Sequence, residues 1–91
     1  MTRRCILDGA ALKDLDAVYD ALASQLGFPG HFGRNLDALW DVLTTDLPGP
    51  VEIEWRNRAA ARRALGADFD RLAKLLSDVG RERPDVRVFE S

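Results

Sequence analysis

The chain has 91 residues, of which 46% are hydrophobic and 31% charged, with a formal net charge of −2 at pH 7. That is enough for one core, too little for two domains of ordinary size, and too apolar for a disordered tail. So small a net charge says little about partners; what matters is where the charges lie, because a local acidic patch steers a basic partner even when the total nearly cancels.

The amino terminus, MTRRCILDGAALKDL, meets Asp8 before any apolar run reaches signal-peptide length. No stretch approaches the roughly 18 apolar residues of a membrane span, and no internal repeat stands out. A single cytoplasmic domain is therefore expected. Within RCIL at residues 4–7, which fits a strand, Cys5 is the only cysteine. It excludes an intrachain disulfide or a thiolate cluster, and suits a buried thiol that packs as a small hydrophobe.

Leu15, Val18, Tyr19, Leu22 and Leu26 then recur at helical spacing. Asp14 is placed to cap that helix and Gly27 to end it. A glycine- and proline-rich loop, GFPGHFGRN (27–35), follows and carries His31 and Phe32. It reads equally as a binding element or as a connector. Asn35 is a good cap for a second helix with Leu36, Leu39, Val42, Leu43 and Leu47 on one side, stopped by PGP at 48–50.

VEIEW (51–55) alternates so that Val51, Ile53 and Trp55 face a core while Glu52 and Glu54 face water, the pattern of a sheet covered on one side. Asn57 is placed to cap a short helix through RNRAAARRALG (56–66). A last helix is expected after Asp68, burying Phe69, Leu72, Leu76 and Val79 with Ala73 and Leu75 beside them, and ending near Gly80. VRVF (86–89) fits a third strand. Strands alternating with helices predict a two-layer α/β sandwich of parallel strands joined by right-handed crossovers.

The stretch NLDALWDVL (35–43) raises a question of function. At 100° per residue, Asp37, Asp41 and Thr44 share a face away from the apolar stripe, with Trp40 between the two. Asp37 suits the first turn, where the helix dipole favours negative charge, but Asp41 is one turn from a like charge and has no such reason. Two aspartates on a solvated face need carry no function. A large aromatic beside carboxylates is typical of binding hot spots, although Trp40 would equally serve as a boundary residue resting on the core.

The run FPGHFGRNLDALWDVLTTDLPGPVEIEW (28–55), centred on FGRNLDALWDVLT and the later EW, resembles the barstar family of intracellular inhibitors of secreted guanyl-preferring ribonucleases. The resemblance implies a three-stranded parallel sheet packed with helices, no catalytic role, no cofactor or metal, and a free monomer that forms a one-to-one complex with a small basic ribonuclease. It implies that the second helix and the preceding loop block the nuclease active site, with Asp41 where the substrate phosphate would lie. Asp37 would bind a second cationic or amide group, Thr44 a rim group, and Trp40 would add contact area. Asp78, where the family has a glutamate, would reach the same partner. His31, Phe32, Arg34, Asn35 and Thr45 complete the expected partner-binding set.

This chain departs from the family at His31, where a tyrosine is typical, at Arg34 for an acidic residue, at Thr45 for a glycine, and at Asp46 for an aromatic. The central acids remain while the rim differs, which bears on partner identity more than on binding mode. Three rival readings stand beside inhibition. Asp37, Asp41 and His31 would make a general acid, base and helper only in a concave pocket that separates their pKa values. Arg56, Arg58, Arg62 and Arg63 form a basic cluster with no interleaved aromatic, so direct nucleic-acid binding is not expected. The same fold would also serve as an immunity or interaction module against a different bacterial toxin.

Overall fold

Neighbouring parallel strands cannot be joined by a tight hairpin, so each step across a parallel sheet must be made by helices. The computed structural model, which describes residues 2–91, follows that rule twice. Strands β1 (Arg3–Asp8), β2 (Val51–Arg56) and β3 (Val86–Glu90) pair in parallel, in the order β1-β2-β3. Helices α1 (Leu15–Leu26) and α2 (Leu36–Asp41) connect the first pair of strands, and α3 (Arg58–Leu65) and α4 (Ala67–Glu82) the second. No helix among the described residues is long and apolar enough to cross a membrane.

One face of the sheet, presenting Cys5, Leu7, Val51, Ile53, Trp55 and Val86, meets all four helices in a single buried cluster. Phe69 of α4 stacks at 5.4 Å from Trp55, and Leu39 and Leu43 are fully buried in the same cluster. Each such side chain contributes about 1.5–3 kcal/mol by leaving water. Burial of Cys5 pushes its thiol up to about 12, so it is protonated at neutral pH and inert, as a small core hydrophobe should be.

The termini of α1 follow the sequence. Asp14 accepts a hydrogen bond from the Ala17 amide at 2.8 Å, and Gly27 closes the helix in the left-handed region at φ 71°. The edge strand β1 is also closed, because the Gln25 side-chain amide takes both the N–H (2.8 Å) and the C=O (3.1 Å) of Ile6.

The other face of the sheet is not simply wetted. Glu52 and Glu54, expected to face water, lie on the central strand under arginines: Arg4 of β1 and Arg87 of β3 bridge to Glu52, and Arg56 of β2 itself to Glu54, which is only 7% exposed. Cross-strand register sets up the first row, since Arg4, Glu52 and Arg87 are direct neighbours. Opposite charges placed side by side across a sheet stabilise it, and the arginine stems exclude water.

The expected second helix is not one regular helix. After Asp41 the backbone widens into a π turn over Val42–Asp46, in which the Leu47 amide bonds to the Val42 carbonyl at 2.9 Å, five residues back. An α turn would have given Leu47 the carbonyl of Leu43. That carbonyl is instead taken by Arg83 Nη1 at 2.9 Å, and the same nitrogen holds the Leu47 carbonyl at 2.6 Å. Arg83 is oriented in turn by a two-pronged pair with Asp85 at 2.7 and 3.1 Å. Leu36, expected in the buried stripe, is only half-buried, because six residues of helix turn it to the margin of α4.

Two further expectations are corrected. Asn57 precedes α3 but makes no cap: it sits in the left-handed region at φ 52° and its side chain donates to Asp8 at 2.8 Å. The last helix begins at Ala67 rather than after Asp68 and continues through Gly80 to Glu82, because packing of Leu76 and Val79 outweighs the roughly 1 kcal/mol a helical glycine costs.

Removing the guanidinium with Arg83→Ala strands two carbonyls and is expected to destabilise the fold by about 3 kcal/mol in chemical denaturation. The hydrogen bond from Arg56 holds Glu54 below the ordinary glutamate value of 4.5. A depressed value means that the pair contributes stability above the ordinary range and that this is lost as pH falls through the lowered one. The melting temperature of Glu54→Gln should therefore fall less steeply on acidification than that of the wild type. Superimposable acid limbs would show the pair to be absent in solution.

Candidate functional site

The loop before α2 is held from behind. Phe32 packs edge-on against Phe28 and Tyr19 at centroid distances of 5.0 and 5.6 Å, and is half-buried. Arg34 takes a left-handed conformation at φ 55°, which turns its side chain back to α1. There its guanidinium bonds the Asp20 carboxylate at 2.9 Å, the Asp16 carboxylate at 3.3 Å and the Asp16 carbonyl at 3.2 Å. Asn35 then caps α2, its side-chain oxygen accepting from the Ala38 amide at 2.7 Å. These three expected contact residues use their side chains inside the molecule, while His31, at the tip of the loop, is exposed.

On α2 itself Asp37 occupies the first turn and Asp41 the last position, both exposed, and exposed Asp46 ends the π turn. Among the described residues no basic side chain pairs with any of the three. The aspartates of α1 and α4 are treated differently: Asp16 and Asp20 meet Arg34, Asp68 meets Arg71, Asp70 meets Arg62, and Asp78 meets Lys74 and Arg81. Asp37 and Asp41 lie one turn apart on α2, and their mutual repulsion is tolerated at a few tenths of a kcal/mol.

Trp40 is partly buried against the core, as a boundary residue is, and also borders a hollow. Thr44, half-buried, donates its hydroxyl to the Trp40 carbonyl at 2.7 Å, a bond typical of helices that bend, and Thr45 is exposed.

A hollow flanks α2 on each side. The one of about 320 Å³ is bordered by His31, Phe32, Asp41 and Asp46. The other, about 350 Å³, lies between α2 and α4 and is bordered by Asp37, Trp40 and Asp78. The lysine at 2.8 Å holds the Asp78 carboxyl below the usual aspartate range, so this acid is engaged within the chain. Asp37 and Asp41 face different hollows and share no pocket, an arrangement unsuited to paired acid–base work.

Arg71, Lys74 and Leu75 also border the α4-side hollow, and sequence reasoning missed them. The spacing of Lys74 and Asp78 by four residues was a readable signal of pairing, but nothing local shows that this pair faces α2. In the basic cluster near α3, Arg56 pairs with Glu54, while Arg58 and Arg62 lie 5.3 and 5.1 Å from the Phe69 ring centroid. Those cations largely serve the fold.

The protein-family description that matches this chain is Barstar (barnase inhibitor), and it spans residues 2–90. A curated relative from Bacillus subtilis (strain 168), named "Putative ribonuclease inhibitor YrdF", is 32% identical over 83 residues, which is 91% of this chain and 91% of the relative. With the three-stranded parallel sheet and its four helices in agreement, the chain belongs to the barstar family.

Proposed function

We propose that this chain inhibits a small secreted ribonuclease by docking α2 and the loop before it into the nuclease cleft, with the Asp41 carboxylate in place of a substrate phosphate. The observation that carries this reading is that Asp37, Asp41 and Asp46 have no counter-ion among the described residues, in a fold that pairs its other helical aspartates. A cleft that grips phosphate presents arginine, lysine and histidine. A carboxylate on a rigid helix accepts charge-assisted hydrogen bonds from such groups, and it has no scissile bond.

In this reading Asp41 reaches deepest, from the end of α2. Asp37 meets a second donor, His31 lies flat on the partner beside the Asp41 hollow, and Thr45 contributes at the rim. Phe32, Arg34 and Asn35 shape the face without leaving it, and Thr44 stiffens the turn on which Trp40 stands. Asp78 lies along the margin, with its charge offset by Lys74. The free chain is a monomer and the complex one-to-one.

The test is inhibition of RNA cleavage by a secreted guanyl-preferring ribonuclease. Wild type should inhibit stoichiometrically, and Asp41→Ala should cost more than about 2 kcal/mol in binding, the threshold for a buried hot spot, with the fold unchanged by circular dichroism. Much of that loss would reflect a partner cation left buried without its anion. An unaltered inhibition constant would remove Asp41 from the interface. Arg34→Ala should weaken inhibition by a smaller factor, about threefold, because its ion pairs are exposed and hold the loop only indirectly. Asp16→Asn with Asp20→Asn should mimic it without adding to it; full additivity would mean that Arg34 contacts the nuclease directly.

A further inference from the structure

The hollow that holds Asp41, of about 320 Å³, has an uneven border of charge. Asp41 at the end of α2 and Asp46 at the end of the π turn are its acids, and His31 is the one basic side chain among the described residues on it. The rest of the border is uncharged.

His31 is held in place by its neighbours. The Phe32 amide donates to the Pro29 carbonyl at 3.1 Å, which closes a turn with Gly30 and His31 at its corner, and the Phe32 ring is wedged against Phe28 and Tyr19. An exposed imidazole is thus carried on an anchored stretch of backbone. The charges of α1 beside this loop are already spoken for, because Asp16 and Asp20 both engage Arg34. Burial pushes the Tyr19 phenol up, so that group is neutral, and Asp37 borders the opposite hollow. Asp41 and Asp46 are therefore the charges that His31 shares its surroundings with.

We infer that His31 makes binding at this face conditional on pH, its neutral imidazole admitting the partner's cations to the Asp41 hollow and its imidazolium opposing them. This rests on the reading of α2 as a nuclease-binding face and adds to it the regulation of that face. Imidazole is the ordinary side chain that changes charge between about pH 5 and 8. With the ring neutral the hollow carries the two carboxylate charges, and with the ring protonated one of them is offset. A cleft cation that reaches for Asp41 then meets a like charge on the same border, and like charges facing each other across an interface are unfavourable. The sign follows by linkage: a partner that binds the neutral ring better makes His31 harder to protonate, and acid weakens the complex by the same factor. Inhibition is tightest at neutral pH and above and relaxes in mildly acidic medium.

The test measures dissociation constants from about pH 5.5 to about pH 8, the range in which imidazole titrates, against a catalytically inactivated secreted guanyl-preferring ribonuclease that the wild type inhibits. Wild type, His31→Gln, His31→Lys and Asp41→Ala are compared, with the fold checked by circular dichroism at each pH. Histidines of the nuclease titrate in the same range, so the quantity read is the wild-type constant divided by that of His31→Gln. That ratio should rise about fivefold on acidification, the effect of one partly screened charge, and His31→Lys should bind about fivefold more weakly than His31→Gln even at the alkaline end. A ratio that stays flat or falls on acidification, or a lysine variant that binds as tightly as the glutamine variant, would overturn the inference. If Asp41→Ala still weakens binding, the nuclease-binding reading stands without it. Indifference to Asp41→Ala would remove that reading, and the inference with it.

Discussion

The guanidinium of Arg83 lies under the end of the π turn and sets how α2 is presented. It takes the Leu43 and Leu47 carbonyls while Asp85 fixes its plane. A helix of six residues is too short to hold its own shape in water, so its rigidity has to come from tertiary contacts. Asn35 secures one end and Arg83 the other, with Leu39 and Leu43 buried between them. Because Asp85 adjoins β3 and Arg83 directly follows α4, the presentation of α2 is tied to the last crossover of the fold. Gly49 completes the bracket: a side chain there would collide with the Asp85 carboxylate and the Arg83 guanidinium.

Charge is distributed with a division of labour. On the open face of the sheet and along α1 and α4, aspartates and most other acids meet bases within the chain, and each exposed pair contributes at most about 1 kcal/mol. Along α2, Asp37 and Asp41 have no ion-pair partner among the described residues. An unpaired carboxylate in water costs little, but one held on a rigid rod is ready to be desolvated by a cationic cleft without first breaking an internal ion pair. The two arrangements differ little in their effect on folding and greatly in what they leave available for binding.

Much of the fold was legible in the sequence because its determinants are local. The apolar positions of VEIEW, the Asp14 and Asn35 caps and the left-handed Gly27 act within a few residues, and each appears where its chemistry requires it. The π turn was not legible, since the contest for the Leu43 carbonyl is decided by Arg83, forty residues later in the chain. The burial of Glu54 depends on strand neighbours, and the continuation of α4 through Gly80 on packing against the sheet. In the candidate site, the acids and Trp40 were visible in NLDALWD. The inward turn of Arg34 and the position of Lys74 beside α2 were not, because both depend on which helices face each other.

The amide of Gln25 sits against β1 as a neighbouring peptide would, donating to one group and accepting from the other at a single residue of the edge. An incoming chain that sought to extend the sheet on this border would have to displace a tethered competitor that is always at hand. Lateral growth by strand addition is thereby blocked at the border beside α1. A single helical glutamine thus occupies the hydrogen-bonding groups of one residue on the sheet's edge, where an incoming strand would otherwise bind.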